Sequence, residues 1–173
     1  DALVEKVRVR AERLQVGDAE QNADVAAVID EVQHAKILGF IDRAKPHATL
    51  LMGGNAGSDA GWFIEPTIFT DVDPDSELAQ EEVFGPVVAV VRARDFDHAL
   101  QLANDTKYAL TGGLFSRLRD RIERVRSEFR VGNLYINRKI TGSLVGVQPF
   151  GGFDMSGTNA KAGGPDYIRL FLE

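Results

Sequence analysis

The chain has 173 residues, 44% of them hydrophobic and 27% charged, which is typical of a globular protein that can bury one substantial core. A formal net charge of -6 argues against nucleic acid as a partner, because phosphate binding needs clustered Lys and Arg. No stretch approaches the roughly 18 consecutive apolar residues of a membrane span, the first residues do not resemble a signal peptide, and no cysteine is present. We therefore expect a soluble protein without nucleic acid or membrane as a partner, and no disulfide, cysteine-type zinc site or thiol nucleophile within these residues. A cytoplasmic location and a small-molecule substrate are our further expectations.

The spacing of apolar residues predicts helices and strands in alternation. The chain is expected to open in a helix that ends near Val16-Gly17, followed by a second helix over 28–44 that Pro46 stops. A short strand is predicted over 48–52, and Pro66 makes 62–64 an edge strand or an extended segment. Further along, the pattern predicts strand 87–91, helix 96–104, strand 111–115, helix 118–129 and strand 131–136. Strands separated by helices are typical of βαβ crossovers, so we expect an α/β fold with a mostly parallel, doubly wound sheet.

The segment after the last predicted strand is rich in glycine. Eight of the 17 glycines lie between Val131 and Pro165, in a stretch with little periodicity. Ligands of open α/β sheets bind outside the carboxyl ends of the strands, where this segment would lie. Residues 138–165 are therefore our first candidate for a substrate loop, although composition alone fits a surface connection without function equally well.

Metal binding is not favoured. One acidic segment has carboxylates at the spacing of a calcium loop, namely Asp71, Asp73, Asp75 and Glu82. However, Ser76 occupies the position where that loop needs glycine, so we predict an acidic turn in which Ser76 or Asp75 caps a short helix over 77–81. The histidines lack metal-ligand spacing and are interpreted as surface or hydrogen-bonded residues: His34, His47 and His98.

Glu82 and Phe84 form a candidate binding pair. On an extended chain, residues two apart point the same way, and Gly85-Pro86 fixes the turn into the next strand. Such a pair can hold a sugar diol and an adjacent flat ring together. A helix end followed by a core phenylalanine is the structural alternative.

Two motifs resemble those of the aldehyde dehydrogenase superfamily. Residues 80–87 contain Glu-x-Phe-Gly-Pro, and residues 148–157 contain Pro-Phe-Gly-Gly-x-x-x-Ser-Gly. Asn104 and the Gly112-Gly113 strand also fit the pattern, and the similarity covers nearly the whole chain. The resemblance implies an aldehyde-dehydrogenase-like catalytic domain with NAD as cofactor. It also implies that Glu82 accepts hydrogen bonds from the nicotinamide ribose hydroxyls, while Phe84 packs beside the nicotinamide.

A narrower resemblance concerns residues 132–138, 141–148 and 156–167. They are similar to the 1-pyrroline-5-carboxylate dehydrogenase type, whose members oxidise glutamate semialdehyde in proline breakdown. The resemblance implies that backbone N–H groups of Gly142 and Ser143 hold the substrate α-carboxylate, with Phe150 packed on its aliphatic chain. The small residues agree physically, because consecutive N–H groups can form an anion-binding nest. The alternatives are a plain turn at 142–143, an enzyme for another aldehyde such as succinate semialdehyde, or a non-catalytic α/β module for carboxylate binding or assembly.

The resemblance also implies what these residues lack. The family's catalytic cysteine, general-base glutamate, oxyanion asparagine and Rossmann-type domain belong to segments upstream of residue 1. We therefore expect residues 1–173 to be a catalytic-domain fragment without a catalytic residue of its own, inactive alone. Its expected partners are the N-terminal part of the same enzyme and, at full length, further copies in a homo-oligomer.

Overall fold

A computed structural model describes residues 1–58, 60–144, 146–158 and 160–172 of the protein. The chain divides into two compact units, Asp1–Arg92 and Ala93–Glu173. Helices and strands alternate in both units, which confirms the predicted α/β character.

The first unit contains a three-stranded mixed sheet. Its elements are α1 (Ala2–Ala11), a 3-10 helix (Ala19–Gln21), α2 (Glu31–Ala44), β1 (Thr49–Met52), β2 (Thr67–Thr70), α3 (Glu77–Gln80) and β3 (Val87–Ala89). Strand β2 is central, antiparallel to β1 and parallel to β3. Helix α2 buries Ile37 and Ile41 against Phe69 of β2, and this cluster forms the core of the unit.

Helix α2 begins three residues later than predicted. The Asp30 carboxylate accepts a hydrogen bond of 2.7 Å from the amide of Gln33, which makes Asp30 the N-cap. Ile29 and Val32 contributed to the predicted pattern but are 88% and 78% exposed. The helix ends at Ala44, as predicted, with Pro46 just beyond it. The cap therefore decides the start of the helix, and the apolar spacing does not.

Strand β2 was not predicted. All four of its residues are buried, yet Thr67 and Thr70 interrupt the apolar pattern that the sequence reasoning required. Pro66 precedes the strand without breaking it, because the first ladder donor is the amide of Thr67, 2.8 Å from the carbonyl of Pro86. The extended segment predicted over 62–64 forms only an isolated bridge, between Ala56 and Ile64.

Helix α1 is shorter than predicted. It ends at Ala11, and Val16 instead bridges Val25. The helix buries no residue, so the apolar spacing that extended the prediction to Val16 has no core to cover.

The second unit contains two small two-stranded sheets. Its elements are α4 (Phe96–Asn104), β4 (Tyr108–Ala109), β5 (Thr111–Leu114), α5 (Arg119–Glu128), β6 (Asn133–Ile136), β7 (Phe153–Asp154) and a 3-10 helix (Tyr167–Phe171). Strands β5 and β6 pair in parallel with α5 between them, which is the predicted crossover. Strands β4 and β7 pair antiparallel and tie the glycine-rich segment to the unit.

The acidic segment that follows β2 is a turn stabilised by local contacts. Arg92 donates a hydrogen bond of 2.7 Å to the Asp71 carboxylate, and this contact holds the pKa of Asp71 below its usual range. Ser76 is the N-cap residue of α3, as predicted. Its side chain makes no capping hydrogen bond, because its hydroxyl donates to the carbonyl of Asp73 at 2.6 Å.

Among the described residues, no helix is long and apolar enough to cross a membrane. The same residues contain no group of three or more metal-ligating side chains. Two of the histidines make hydrogen bonds to the backbone, His34 with the carbonyl of Phe63 and His98 with the amide of Arg94.

Candidate functional site

Helix α2 holds the Glu82–Phe84 motif in place. The side-chain amide of Gln33 donates to the carbonyls of Val83 and Phe84, at 3.2 and 3.0 Å. Gly85 lies directly on the helix, because a Cβ at this position would be 2.6 Å from Cδ1 of Ile37. The motif is therefore an ordered loop whose glycine permits close approach to the helix.

The side chains of Glu82 and Phe84 remain accessible. Glu82 is exposed and Phe84 is 75% exposed, so Phe84 is not the core phenylalanine of the structural alternative. The expectation of a uniformly extended chain is also wrong, because Phe84 has a φ of 57°, in the left-handed region. This backbone kink presents an aromatic ring that contributes little to the core, as a ligand-binding ring would.

The predicted substrate residues meet at one cavity in the second unit. Its volume is about 460 Å³, within the range of small-molecule sites. It is lined by Tyr135, Ile140, Thr141, Gly142, Ser143 and Phe150. The structure thus brings Gly142, Ser143 and Phe150 together, and adds three lining residues that the sequence reasoning missed.

Hydrogen-bond donors line one part of this cavity. Gly142 adopts a φ of 86°, and within the described ranges neither its amide nor that of Ser143 has an acceptor. The Ser143 hydroxyl is 2.7 Å from the hydroxyl of Tyr135. Amide and hydroxyl donors with free hydrogens favour a carboxylate over a cation.

A positive charge accompanies these donors. The guanidinium of Arg138 lies 5.4 Å from the ring centre of Tyr135 and donates to the carbonyl of Thr141 at 3.4 Å. The side chain is exposed and, in the part of the chain that the structure describes, forms no ion pair. Its charge is therefore available to attract an anion.

Two polar side chains fix the backbone around Phe150. Asn133 donates to the carbonyl of Pro149 and accepts from the amide of Gly151, both at 3.1 Å. The Lys161 ammonium donates to the carbonyls of Gly132 and Gly151. Burial lowers the pKa of Lys161. These side chains thus add to the pairing of β7 with β4 in holding the loop.

The loop also depends on close backbone contact. Phe150 and Ala162 exchange two backbone hydrogen bonds, of 3.0 and 2.8 Å. A Cβ on Gly132 would lie 1.8 Å from the carbonyl oxygen of Gly151, so no other residue fits there. The serine of the second motif, Ser156, accepts a hydrogen bond of 3.0 Å from the amide of Ala109 and thus has a structural role.

The family model for the aldehyde dehydrogenase family matches residues 1–173. The chain therefore belongs to the aldehyde dehydrogenase family, as the motifs predicted. A 1-pyrroline-5-carboxylate dehydrogenase of Geobacillus thermodenitrificans (strain NG80-2) is 51% identical over 174 residues, which cover 100% of this chain and 34% of that protein. The chain thus spans about a third of the length of the curated relatives it matches.

Solved structures agree with this assignment. A 1-pyrroline-5-carboxylate dehydrogenase from Thermus with bound NAD has a TM-score of 0.96 at 56% identity, covering 98% of this chain and 33% of that chain. Proline utilization A from Bdellovibrio bacteriovorus has a TM-score of 0.92 at 47% identity, covering 100% of this chain and 18% of that chain. They confirm the predicted aldehyde-dehydrogenase-like α/β fold. Val145 and Asn159, which belong to the subfamily match, lie outside the described residues.

Proposed function

We propose that this chain is a segment of an NAD-dependent dehydrogenase that oxidises L-glutamate 5-semialdehyde, formed from 1-pyrroline-5-carboxylate, to glutamate in proline catabolism. The observation that carries the proposal is the cavity at Gly142, Ser143 and Phe150, which combines anion donors with an apolar wall. Relatives of about 50% identity that are named 1-pyrroline-5-carboxylate dehydrogenase support it.

The chemistry of the substrate matches the two parts of the cavity. Glutamate semialdehyde has an α-carboxylate and an α-ammonium group at one end and an aldehyde at the other, joined by a short alkyl chain. The amides of Gly142 and Ser143 would donate to the carboxylate, each charge-assisted bond contributing about 1.5 to 3 kcal/mol. Phe150 would pack against the alkyl chain, which directs the aldehyde away from the anion subsite.

Glu82 and Phe84 would contact the cofactor. An exposed carboxylate can accept hydrogen bonds from ribose hydroxyls, and an exposed ring can pack against nicotinamide, so both side chains fit NAD. When bound, NAD supplies the acceptor for the substrate hydride. The residues of this segment would bind and orient NAD and the aldehyde substrate.

The nucleophile must come from elsewhere in the enzyme. The chain has no cysteine, and the thiolate chemistry of this family requires one. We place the nucleophile, the general base and the NAD-binding domain in the remaining two-thirds of the full-length protein, whose relatives are about three times as long. An acidic, cysteine-free segment is compatible with a cytoplasmic homo-oligomer, which we propose on the family resemblance alone.

Steady-state kinetics of the full-length enzyme test the proposal. NADH formation is measured with glutamate semialdehyde, with succinate semialdehyde, and with pentanal, which has the chain length of glutamate semialdehyde but neither its carboxylate nor its ammonium group. We expect the highest kcat/KM for glutamate semialdehyde. A higher kcat/KM for pentanal would contradict the proposed carboxylate subsite. A higher kcat/KM for succinate semialdehyde would assign the enzyme to a different substrate.

A further inference from the structure

Tyr135 and Ser143 form a hydroxyl pair in the wall of the cavity. Tyr135 lies on β6, pairs in register with Gly113 of β5, and is only 7% exposed. Its hydroxyl is 2.7 Å from Oγ of Ser143. A pair of hydroxyls at this distance uses one O–H for the mutual hydrogen bond and leaves the other O–H free.

An anion in the cavity selects one of the two arrangements. A carboxylate only accepts hydrogen bonds, so the Ser143 hydroxyl can bind it only when its O–H points to the anion. Tyr135 must then donate to Oγ of Ser143. Because a donated hydrogen bond polarises the next one, the phenol also strengthens the bond from Ser143.

We propose that Tyr135 is a positioning residue that orients Ser143 as a donor to the substrate carboxylate. This inference rests on the proposed function. It assigns the preference for a substrate with a carboxylate partly to the Tyr135 phenol, which acts through Ser143.

The ring of Tyr135 is held independently of Ser143. Strand pairing fixes its backbone, and the guanidinium of Arg138 lies 5.4 Å from the ring centre. Ser143, by contrast, lies in a loop, and among the described residues its hydroxyl has Tyr135 as its one hydrogen-bond partner. Loss of the phenol hydroxyl should therefore leave the ring in place and release the serine.

A double-mutant cycle in the full-length enzyme tests the proposal. Tyr135→Phe, Ser143→Ala and the double variant are compared by the ratio of kcat/KM for glutamate semialdehyde to kcat/KM for pentanal. Tyr135→Phe should lower this ratio about threefold to tenfold, through KM more than kcat. The double variant should fall no further than Ser143→Ala, because Tyr135 acts through the serine. Tyr167→Phe, on the C-terminal 3-10 helix and 38% exposed, is the matched control and should leave the ratio unchanged.

The outcomes separate this inference from the proposed function. Both substrates are measured on one preparation, so the ratio does not depend on the folded fraction of a variant. If the unsubstituted enzyme does not prefer glutamate semialdehyde, the proposed function fails. If it does, and Tyr135→Phe leaves the ratio unchanged or its loss adds to that of Ser143→Ala, only the positioning role of Tyr135 is overturned.

Discussion

Replacement of Lys161 by methionine should loosen the substrate loop. The ammonium donates to two backbone carbonyls, at Gly132 and Gly151, and methionine keeps the apolar stem without either bond. A hydrogen bond from a charged group contributes about 1.5 to 3 kcal/mol when buried, and partial exposure of Lys161 reduces this. We take about 2 kcal/mol for both bonds together, which corresponds to roughly thirtyfold in a local opening equilibrium.

Hydrogen exchange of the full-length enzyme measures this opening directly. The amides of Phe150 and Ala162 donate to each other's carbonyls and should exchange about thirtyfold faster in Lys161→Met. Because Phe150 is the apolar wall, kcat/KM should fall for glutamate semialdehyde and pentanal alike. Lys139→Met, at an exposed position of the same segment, is the control. Unchanged exchange at both amides would refute the assignment of Lys161 as the anchor of the loop.

Three further predictions concern named side chains. Glu82→Gln should raise KM for NAD and leave aldehyde affinity unchanged, because a neutral amide keeps only part of the about 1.5 to 3 kcal/mol of a charge-assisted hydrogen bond. Initial rates at varied NAD measure this, and a change in the aldehyde parameters alone would contradict the ribose role. Ser143→Pro deletes an amide donor and should reduce kcat/KM about thirtyfold for glutamate semialdehyde but not for pentanal. Phe150→Ala should instead lower kcat/KM for both aldehydes, by an amount that corresponds to about 1 to 3 kcal/mol. Arg130 donates two hydrogen bonds to Asp154 and holds its pKa low, so the ion pair stabilises the fold above the ordinary carboxyl pKa and is lost as pH falls through the lowered value. Arg130→Gln should shift the NMR titration of Asp154 upward, and an unmoved titration would exclude the pairing.

The elements that the sequence predicted well are determined by interactions between residues close in sequence. Helix α4 matches its prediction of 96–104 because Asp95 caps it, accepting from the amide of His98, and because its apolar residues keep one face. Strand β2 was missed because its burial depends on β1 and β3 on either side, which its own composition does not reveal. Strands β4 and β7 have two residues each and are defined only by their pairing.

The candidate site also contains residues that the sequence predicted and residues that it did not. Gly142, Ser143 and Phe150 were predicted from a motif resemblance and from glycine content, and the structure places them around one cavity. Tyr135 was missed because period-two alternation gives the face of a strand residue but not the loop residue that its hydroxyl meets eight positions later. Lys161 was missed for the same reason, because the carbonyls that accept from its ammonium belong to residues distant in sequence.

The two groups of residues in the loop have different tasks, and their substitutions should have different effects. A few neutral donors give a carboxylate preference only when they are already oriented, because each mobile donor loses entropy on binding. The described residues of 137–152 form no helix or strand that would orient the cavity. Asn133 and Lys161 therefore supply the order through hydrogen bonds to backbone carbonyls and amides. Changes at these anchors should weaken recognition of every aldehyde. Changes at the lining residues Ile140 and Thr141 should instead alter which aldehyde is preferred, and altered substrate choice is therefore to be sought there.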